Sequence, residues 1–269
     1  MAVAMHVLMV GDVVGSPGRK VFARFVAMRK AQGRADFVVV NAENAAGGKG
    51  LTGDVAEELL KAGADIVTLG DHTWDQKTIL AYLPQAERVL RPANFAPGCP
   101  GRGMVTVATA WGDVSVMNLV GRVFMKPTDC PFRKADEILK DAGALGTTVL
   151  VDMHAEATSE KIALGRYLDG RVSAVVGTHT HVQTSDETIL PGGTAYITDL
   201  GMTGAKDSVI GRDIEPVMQT FLYGLPSKFS LARKDVTLEG VEIEIDRRTG
   251  RAAAIERIRY RLENDRDEA

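Results

Sequence analysis

"HVLMVGD", residues 6–12, packs four apolar residues in a row and then stops at Gly11 and Asp12. A short apolar run that includes β-branched residues and ends at a glycine and an acid fits a buried strand. Working outward, "SPGRKVFARFVAMRKAQG" (16–33) has a Ser start, an early Pro, helical apolar spacing and a closing Gly, the start and stop signals of a helix. "DFVVVN" (36–41) reads as a second strand, "TGDVAEELLKAG" (52–63) as a second helix and "DIVTLG" (65–70) as a third strand. A β-α-β-α-β series predicts a parallel sheet with right-handed crossovers.

The middle of the chain changes character. "GMVTVATAWGDVSVMNL" (103–119) predicts a hairpin whose tight turn contains Gly112 and Asp113. "FRKADEILKDAG" (132–143) and "SEKIALGRYLDG" (159–170) are helical, and "TTVLVDMH" (147–154), "VSAVVG" (172–177) and "TAYITD" (194–199) are strands. "VTLEGVEIEID" (236–246) and "AAAIERIRY" (252–260) alternate as antiparallel strands do. No repeat, low-complexity linker or domain boundary stands out, so residues 1–269 are expected to form one α/β domain of two packed mixed sheets with helices outside.

A net charge of -3 gives no electrostatic case for a nucleic-acid polymer or an anionic membrane as the main partner. The tail "RIRYRLENDRDEA" mixes signs instead of forming a basic patch. Cys99 and Cys130 lie in Pro-containing loops without metal-type spacing and are expected to be idle thiols. The N-terminus has no basic leader, and no apolar run approaches the roughly 18 residues of a membrane span, so a cytoplasmic protein is expected.

Sites in parallel sheets form outside the carboxyl ends of the strands. Asp12 follows the first strand; Asn41, Glu43 and Asn44 follow the second; Asp71, His72 and Asp75 follow the third. His154 and Glu156 close "TTVLVDM", and His179 and His181 follow "VSAVVG". Four of the chain's five histidines therefore lie at three strand ends. His6, inside the first strand, reads as a core residue. His179 and His181 are two apart, so a strand-like backbone would point both side chains the same way.

Carboxylates, amides and imidazoles without thiolates suit manganese, iron or zinc. These groups are too many for one ion, and fit two ions roughly 3.5–4 Å apart with a bridging carboxylate, an arrangement that cleaves phosphate esters.

The ordered blocks "GDVVG", "NAEN", "GDHTWD", "HAEAT" and "GTHTHVQT" resemble the calcineurin-like metallophosphoesterase superfamily, and within it the YmdB-like bacterial phosphodiesterases. The resemblance runs from Asp12 to "YITDLGMTG" (196–204). It implies an αββα sandwich of two mixed β-sheets flanked by helices. It also implies one metal held by Asp12, Glu43, Asn44 and His181, and a second held by Glu43, Asp71, His154 and His179, with Glu43 bridging. Under it, His72 is the general acid, and the substrate is a small phosphate ester or a cyclic nucleotide such as 2′,3′-cyclic AMP, attacked by hydroxide activated between the metals. The cofactors it implies are two divalent or mixed-valence transition-metal ions, iron, manganese or zinc, in a homo-oligomer, dimer or tetramer.

Two departures mark this chain. Most of the superfamily has His two residues after the first Asp, where Val14 stands, as in the YmdB-like branch. "GDHTWD" also carries Asp71 where the family usually has Asn, which adds a negative charge, tightens metal binding and lowers the Lewis acidity left for phosphate.

Rival readings are weaker. "GDVVGSPGR" opens a helix after a strand, but lacks G-x-G-x-x-G spacing, and Asp12 would repel a dinucleotide's pyrophosphate. "NAAGGKGLTGD" has Gly50 where a phosphate loop needs Ser or Thr. A metal-stabilised scaffold that binds a nucleotide or regulates without turnover is kept open by Asp71. Trp74, Phe95, Phe124 and Arg122 are expected pocket walls, and Arg91 and Arg122 are candidate phosphate contacts.

Overall fold

The computed structural model describes residues 4–140 and 147–262. The end of the expected helix at 141–143 and the tail from 263 lie outside the described residues.

Two sheets form the centre. In the first, β1 (Ala4–Val10), β3 (Phe37–Asn41), β4 (Ile66–Thr68) and β5 (Val89–Leu90) run parallel, as the opening series predicts. β13 (Val236–Asp246) lies antiparallel beside β1, and β14 (Ala252–Arg261) pairs with β13. The far edge is β12 (Met202–Ala205) next to the two-residue β2 (Asp12–Val13). In the second sheet, β7 (Gly112–Val120), β8 (Thr148–His154), β9 (Ala174–Thr178) and β11 (Ala195–Ile197) are parallel, with β6 (Met104–Thr109) and β10 (Thr188–Ile189) antiparallel at the edges.

Strand alternation sorts the core into three layers. Met5, Val7, Met9, Phe37 and Val39 of the first sheet meet Val116, Leu150, Val176 and Ile197 of the second. On the opposite face of the first sheet, Leu8, Val10, Val38 and Val40 pack on α1 (Gly15–Ala31), α2 (Gly53–Lys61) and the short α3 (Ile79–Tyr82) through Phe22, Phe25, Leu59 and Ile79. Met117, Val151, Met153 and Val175 of the second sheet pack on α4 (Pro131–Lys140) and α5 (Thr158–Leu168) through Ala135, Leu164 and Leu168. The fold is an αββα sandwich of two mixed sheets.

Local readings needed correction in three places. α1 starts at Gly15 without a side-chain cap, so Ser16 lies inside its first turn and does not cap it. The hairpin turn is Ala110–Trp111, because Thr109 pairs with Gly112, whose φ of 106° closes the turn from the strand side. His6 is only half-buried, with Nδ1 4.0 Å from Glu244, and is not core. α6 (Ile214–Tyr223), not among the expected helices, spaces Ile214, Val217, Met218, Phe221 and Leu222 as an amphipathic helix does, yet of these only Val217 is buried. No helix among the described residues is long and apolar enough to cross a membrane.

Candidate metal centre

The carboxyl ends of β1, β3, β4, β8 and β9 open at the same end of the sandwich. Each delivers polar residues through a short exit, and Gly70 makes one approach feasible: a Cβ there would overlap His154 Nε2 and Glu43 Oε2. The structure brings the expected residues Asp12, Glu43, Asn44, Asp71, His72, His154, His179 and His181 together there.

They fall into two groups joined by one side chain. Ligand atoms of Glu43, Asp71, His154 and His179 all lie within 4.8 Å of one another, a grouping that could hold a metal ion. His154 Nε2 is 3.2 Å from Asp71 Oδ1, 3.3 Å from Glu43 Oε2 and 3.0 Å from His179 Nδ1. The second group is Asp12, Asn44 and His181: Asn44 Nδ2 is 3.2 Å from His181 Nε2, which is 3.8 Å from Asp12 Oδ1. Glu43 reaches this group with its other oxygen, Oε1, 3.1 Å from Asn44 Nδ2.

The electrostatics ask for positive charge. Asp12 Oδ1 is buried and has no hydrogen-bond partner among the described residues, and burial pushes the Asp12 carboxyl up to about 7. Burial also acts to raise Glu43 and Asp71, but His154 and its imidazole neighbours outweigh it and hold both below the usual carboxylate range. Burial opposes protonation of His154, yet Glu43 and Asp71 raise it well above the usual histidine range. Buried carboxylates around facing imidazole nitrogens form a donor set that fits transition-metal cations.

A layer beneath fixes His154. Its Nδ1 is 2.9 Å from Thr178 Oγ1, and Thr178 donates to Asp152 Oδ1 at 2.7 Å. Thr178 has spent its proton on Asp152, so it accepts from His154 Nδ1–H, and the neutral ring that a cation would bind presents its Nε2 lone pair to the site. Asp152 Oδ2 also accepts from Thr68 at 2.5 Å and from Asn41 at 3.2 Å, so the buried carboxylate ties β8 of one sheet to β4 and β3 of the other.

His179 and His181 diverge from the strand-like expectation. β9 ends at Thr178, and the two histidines have φ of 104° and 65°, in the left-handed region. A turn, not strand alternation, sends His179 to Asp71 and His181 to Asp12 and Asn44. Such backbone costs about 1–3 kcal/mol per residue and persists only where the surroundings hold it. Here His179 N donates to Asp12 Oδ2 at 3.1 Å, while Thr180 is held by Asp199.

His72 lies at the mouth. Its backbone N donates to Glu43 Oε2 at 3.0 Å, and its Nδ1 is 2.9 Å from Asn44 Oδ1. It lines a cleft of about 320 Å³ together with Glu43, Asn44, His179 and His181. Glu156 joins this cleft, with Oε2 3.1 Å from His179 Nε2, whereas Asp75 turns away to Lys49. Sequence reasoning missed Arg212, the one Lys or Arg among the described residues lining the cleft, whose guanidinium is hydrogen-bonded to the Gly48 carbonyl. No motif marks it, because it comes from an irregular loop. Three expected wall or phosphate residues fail. Phe124 is 90% exposed, Arg122 is exposed and its backbone N donates to Glu160, and Arg91 is occupied by the carbonyls of Pro92, Cys99 and Pro100. Cys99 and Cys130 are free thiols.

Known proteins share this architecture. A family profile described as YmdB-like protein matches residues 8–258. A 2′,3′-cyclic-nucleotide 2′-phosphodiesterase of Bacillus subtilis is 50% identical over 254 residues, covering 94% of this chain and 96% of the relative. A crystal structure of a hypothetical protein from Thermus thermophilus matches with a TM-score of 0.91 and 42% identity, over 96% of this chain and all of that one. That of a novel phosphatase from Mycoplasma pneumoniae matches with a TM-score of 0.91 and 36% identity, over 99% of this chain and 96% of the other. Similarity at this level extends over nearly the whole chain, strand ends included, and the chain belongs to the YmdB-like protein family.

Proposed function

We propose that this chain is a phosphodiesterase that works with two transition-metal ions, iron, manganese or zinc, and hydrolyses phosphate esters, with 2′,3′-cyclic nucleotides such as 2′,3′-cyclic AMP as substrates. The observation that carries the reading is Glu43, whose Oε2 belongs to the His154 group and whose Oε1 belongs to the Asn44 group. One metal is assigned to Asp12, Glu43, Asn44 and His181, and the other to Glu43, Asp71, His154 and His179. When bound, such ions polarise phosphoryl oxygens and acidify water.

The chain's own groups do the rest. Arg212 places a fixed positive charge in the cleft wall for the substrate's phosphate. His72, held at Nδ1 by Asn44, carries a proton on Nε2 to the ribose oxygen as the P–O bond breaks and water's oxygen joins phosphorus. Thr178 and Asp152 keep the His154 Nε2 lone pair directed at the site.

The reading includes one domain acting in the cytoplasm and a homo-oligomer, dimer or tetramer. Apolar side chains on and after α6, among them Phe221 at 80% exposure, Leu222, Tyr223 and Leu225, offer a face for a second copy. Sedimentation of Phe221→Glu tests that part, with a shift toward monomer expected.

Metal analysis with a substrate panel of monoesters, diesters and 2′,3′-cyclic nucleotides tests the function. Two ions per chain and metal-dependent turnover of the cyclic nucleotides are expected, with both ions lost together in Glu43→Ala. Metal uptake without turnover of any ester would leave a binding scaffold in place of an enzyme.

A further inference from the structure

A separate cavity of about 220 Å³ has Asp71 in its wall. The His72 cleft has Val14 and Ile210 among its mostly ionisable and polar lining, whereas here the walls are mainly Trp74, Phe95, Val120 and Met125, with Lys126 and Thr128 also lining it. The Trp74 and Phe95 rings meet at 5.6 Å between centroids and 37° between planes. Trp74 is half-buried and also packs against the core on the helix-bearing face of the first sheet. Ligand sites for whole drug-sized molecules run to roughly 300–1,000 Å³, so this cavity fits one ring system and not an entire nucleotide.

We infer that this cavity is the subsite for the nucleobase of the substrate, an inference that rests on the phosphodiesterase reading above. A base needs an apolar, aromatic surface for its face and polar groups for its edge. The walls supply the first, and Lys126 and Thr128 supply the second. The base hangs one ribose away from the phosphate, so its subsite must adjoin the phosphate site. Asp71 provides that junction, because it belongs both to this wall and to the group with Glu43, His154 and His179. Stacking is indifferent to base identity, and Lys126 is exposed, so the subsite distinguishes a nucleotide from a base-less ester more than one base from another.

The test compares 2′,3′-cyclic AMP with the 2′,3′-cyclic phosphate of methyl riboside, which keeps the reacting ring and lacks the base. In the wild type, kcat/KM should favour the nucleotide by about 5- to 100-fold. Trp74→Leu and Phe95→Leu, which keep apolar bulk, should shrink that ratio toward one, mainly through KM. Equal rates on the two substrates in the wild type, or an unchanged ratio in both variants, overturns the subsite. Failure to hydrolyse either substrate would instead sink the phosphodiesterase reading, and binding then decides the subsite by itself. The chain's two tryptophans are Trp74 and Trp111, the latter in the hairpin turn. Adenosine 3′-monophosphate should quench emission in Trp111→Phe and not in Trp74→Leu; no quenching in Trp111→Phe overturns the subsite.

Discussion

Thr180 gives both its backbone N–H and its hydroxyl to the same carboxylate oxygen, Oδ2 of Asp199, at 3.2 and 2.8 Å. The residue so held stands between the two left-handed histidines. Asp199 is itself buried and is met by the equally buried Lys161, whose Nζ donates to Oδ2 at 2.6 Å. Gly201 N donates to the other oxygen at 2.8 Å. α5, the loop after β11 and the His179–His181 turn are thereby tied at one buried point, which is how backbone strain at the site is sustained.

Lys161→Met should remove the cation and leave Asp199 buried and unpaired, a change that typically costs about 3–5 kcal/mol. Urea unfolding should report that loss. Replacing both partners, as Lys161→Met with Asp199→Leu, should recover only part of the stability, since the buried charges go together but Thr180 and Gly201 N–H lose their acceptor. Metal binding should fall in the double variant, because there Thr180 loses its acceptor. Full metal content in the double variant would show that the clamp does not position the histidines.

The relay under His154 predicts a different outcome. Thr178→Val keeps the shape and removes the hydroxyl that accepts from Nδ1. The fold should survive, while metal affinity falls about 10- to 100-fold, the usual effect of losing a partner behind a ligating imidazole. Thr178→Ser should restore most of it. Metal titration that finds Val and Thr equivalent would remove Thr178 from the relay.

Asp71→Asn tests the charge that Asp71 brings to the site. The two side chains have nearly the same shape, so packing around the half-buried residue should hardly change. One negative charge leaves the group that also holds His154 and His179, and the ion assigned there becomes more electrophilic toward a phosphoryl oxygen. Weaker metal retention together with altered turnover or metal preference is the expected result. Identical kinetics with every metal tried would place Asp71 outside the ligand set.

Much of this was legible because buried parallel strands announce themselves. Val7–Val10, Val38–Val40 and Val149–Val151 are uninterrupted apolar runs, and the residues just after each run must lie at the sheet's carboxyl edge. The relay was not legible, since Thr178 meets His154 only through the β8–β9 register, which no local pattern in the chain encodes. Arg212 comes from an irregular loop far along the chain, and β2, β5 and β12 are too short for alternation to register. The His179–His181 spacing drew attention to the pair, but strand periodicity assumes ordinary φ, and Asp199 holds Thr180 between two residues where that assumption fails.

His72 offers the sharpest test of mechanism. Its Nδ1 is engaged by Asn44 Oδ1 at 2.9 Å and approaches Glu43 Oε1 at 3.1 Å, while Nε2 stands 3.9 Å from Asp71 Oδ2. That geometry admits two roles. As a general acid, Nε2 delivers a proton to the leaving ribose oxygen; as a packing group, the ring merely braces Asn44 and Glu43. Burial acts against the charged ring, but the hydrogen bond to Glu43 outweighs it and raises its affinity for the proton. The roles separate by leaving group. A ribose alkoxide leaves poorly unless protonated, and a positioned acid contributes roughly 10²–10⁴-fold to such a step. Nitrophenolate needs little help. His72→Ala should therefore keep both metals, lose about 10²-fold or more on 2′,3′-cyclic nucleotides, and lose far less on bis(p-nitrophenyl) phosphate. Parallel losses on the two substrates, or departure of metal from the variant, would assign His72 to the bracing role, because a brace serves every ester alike.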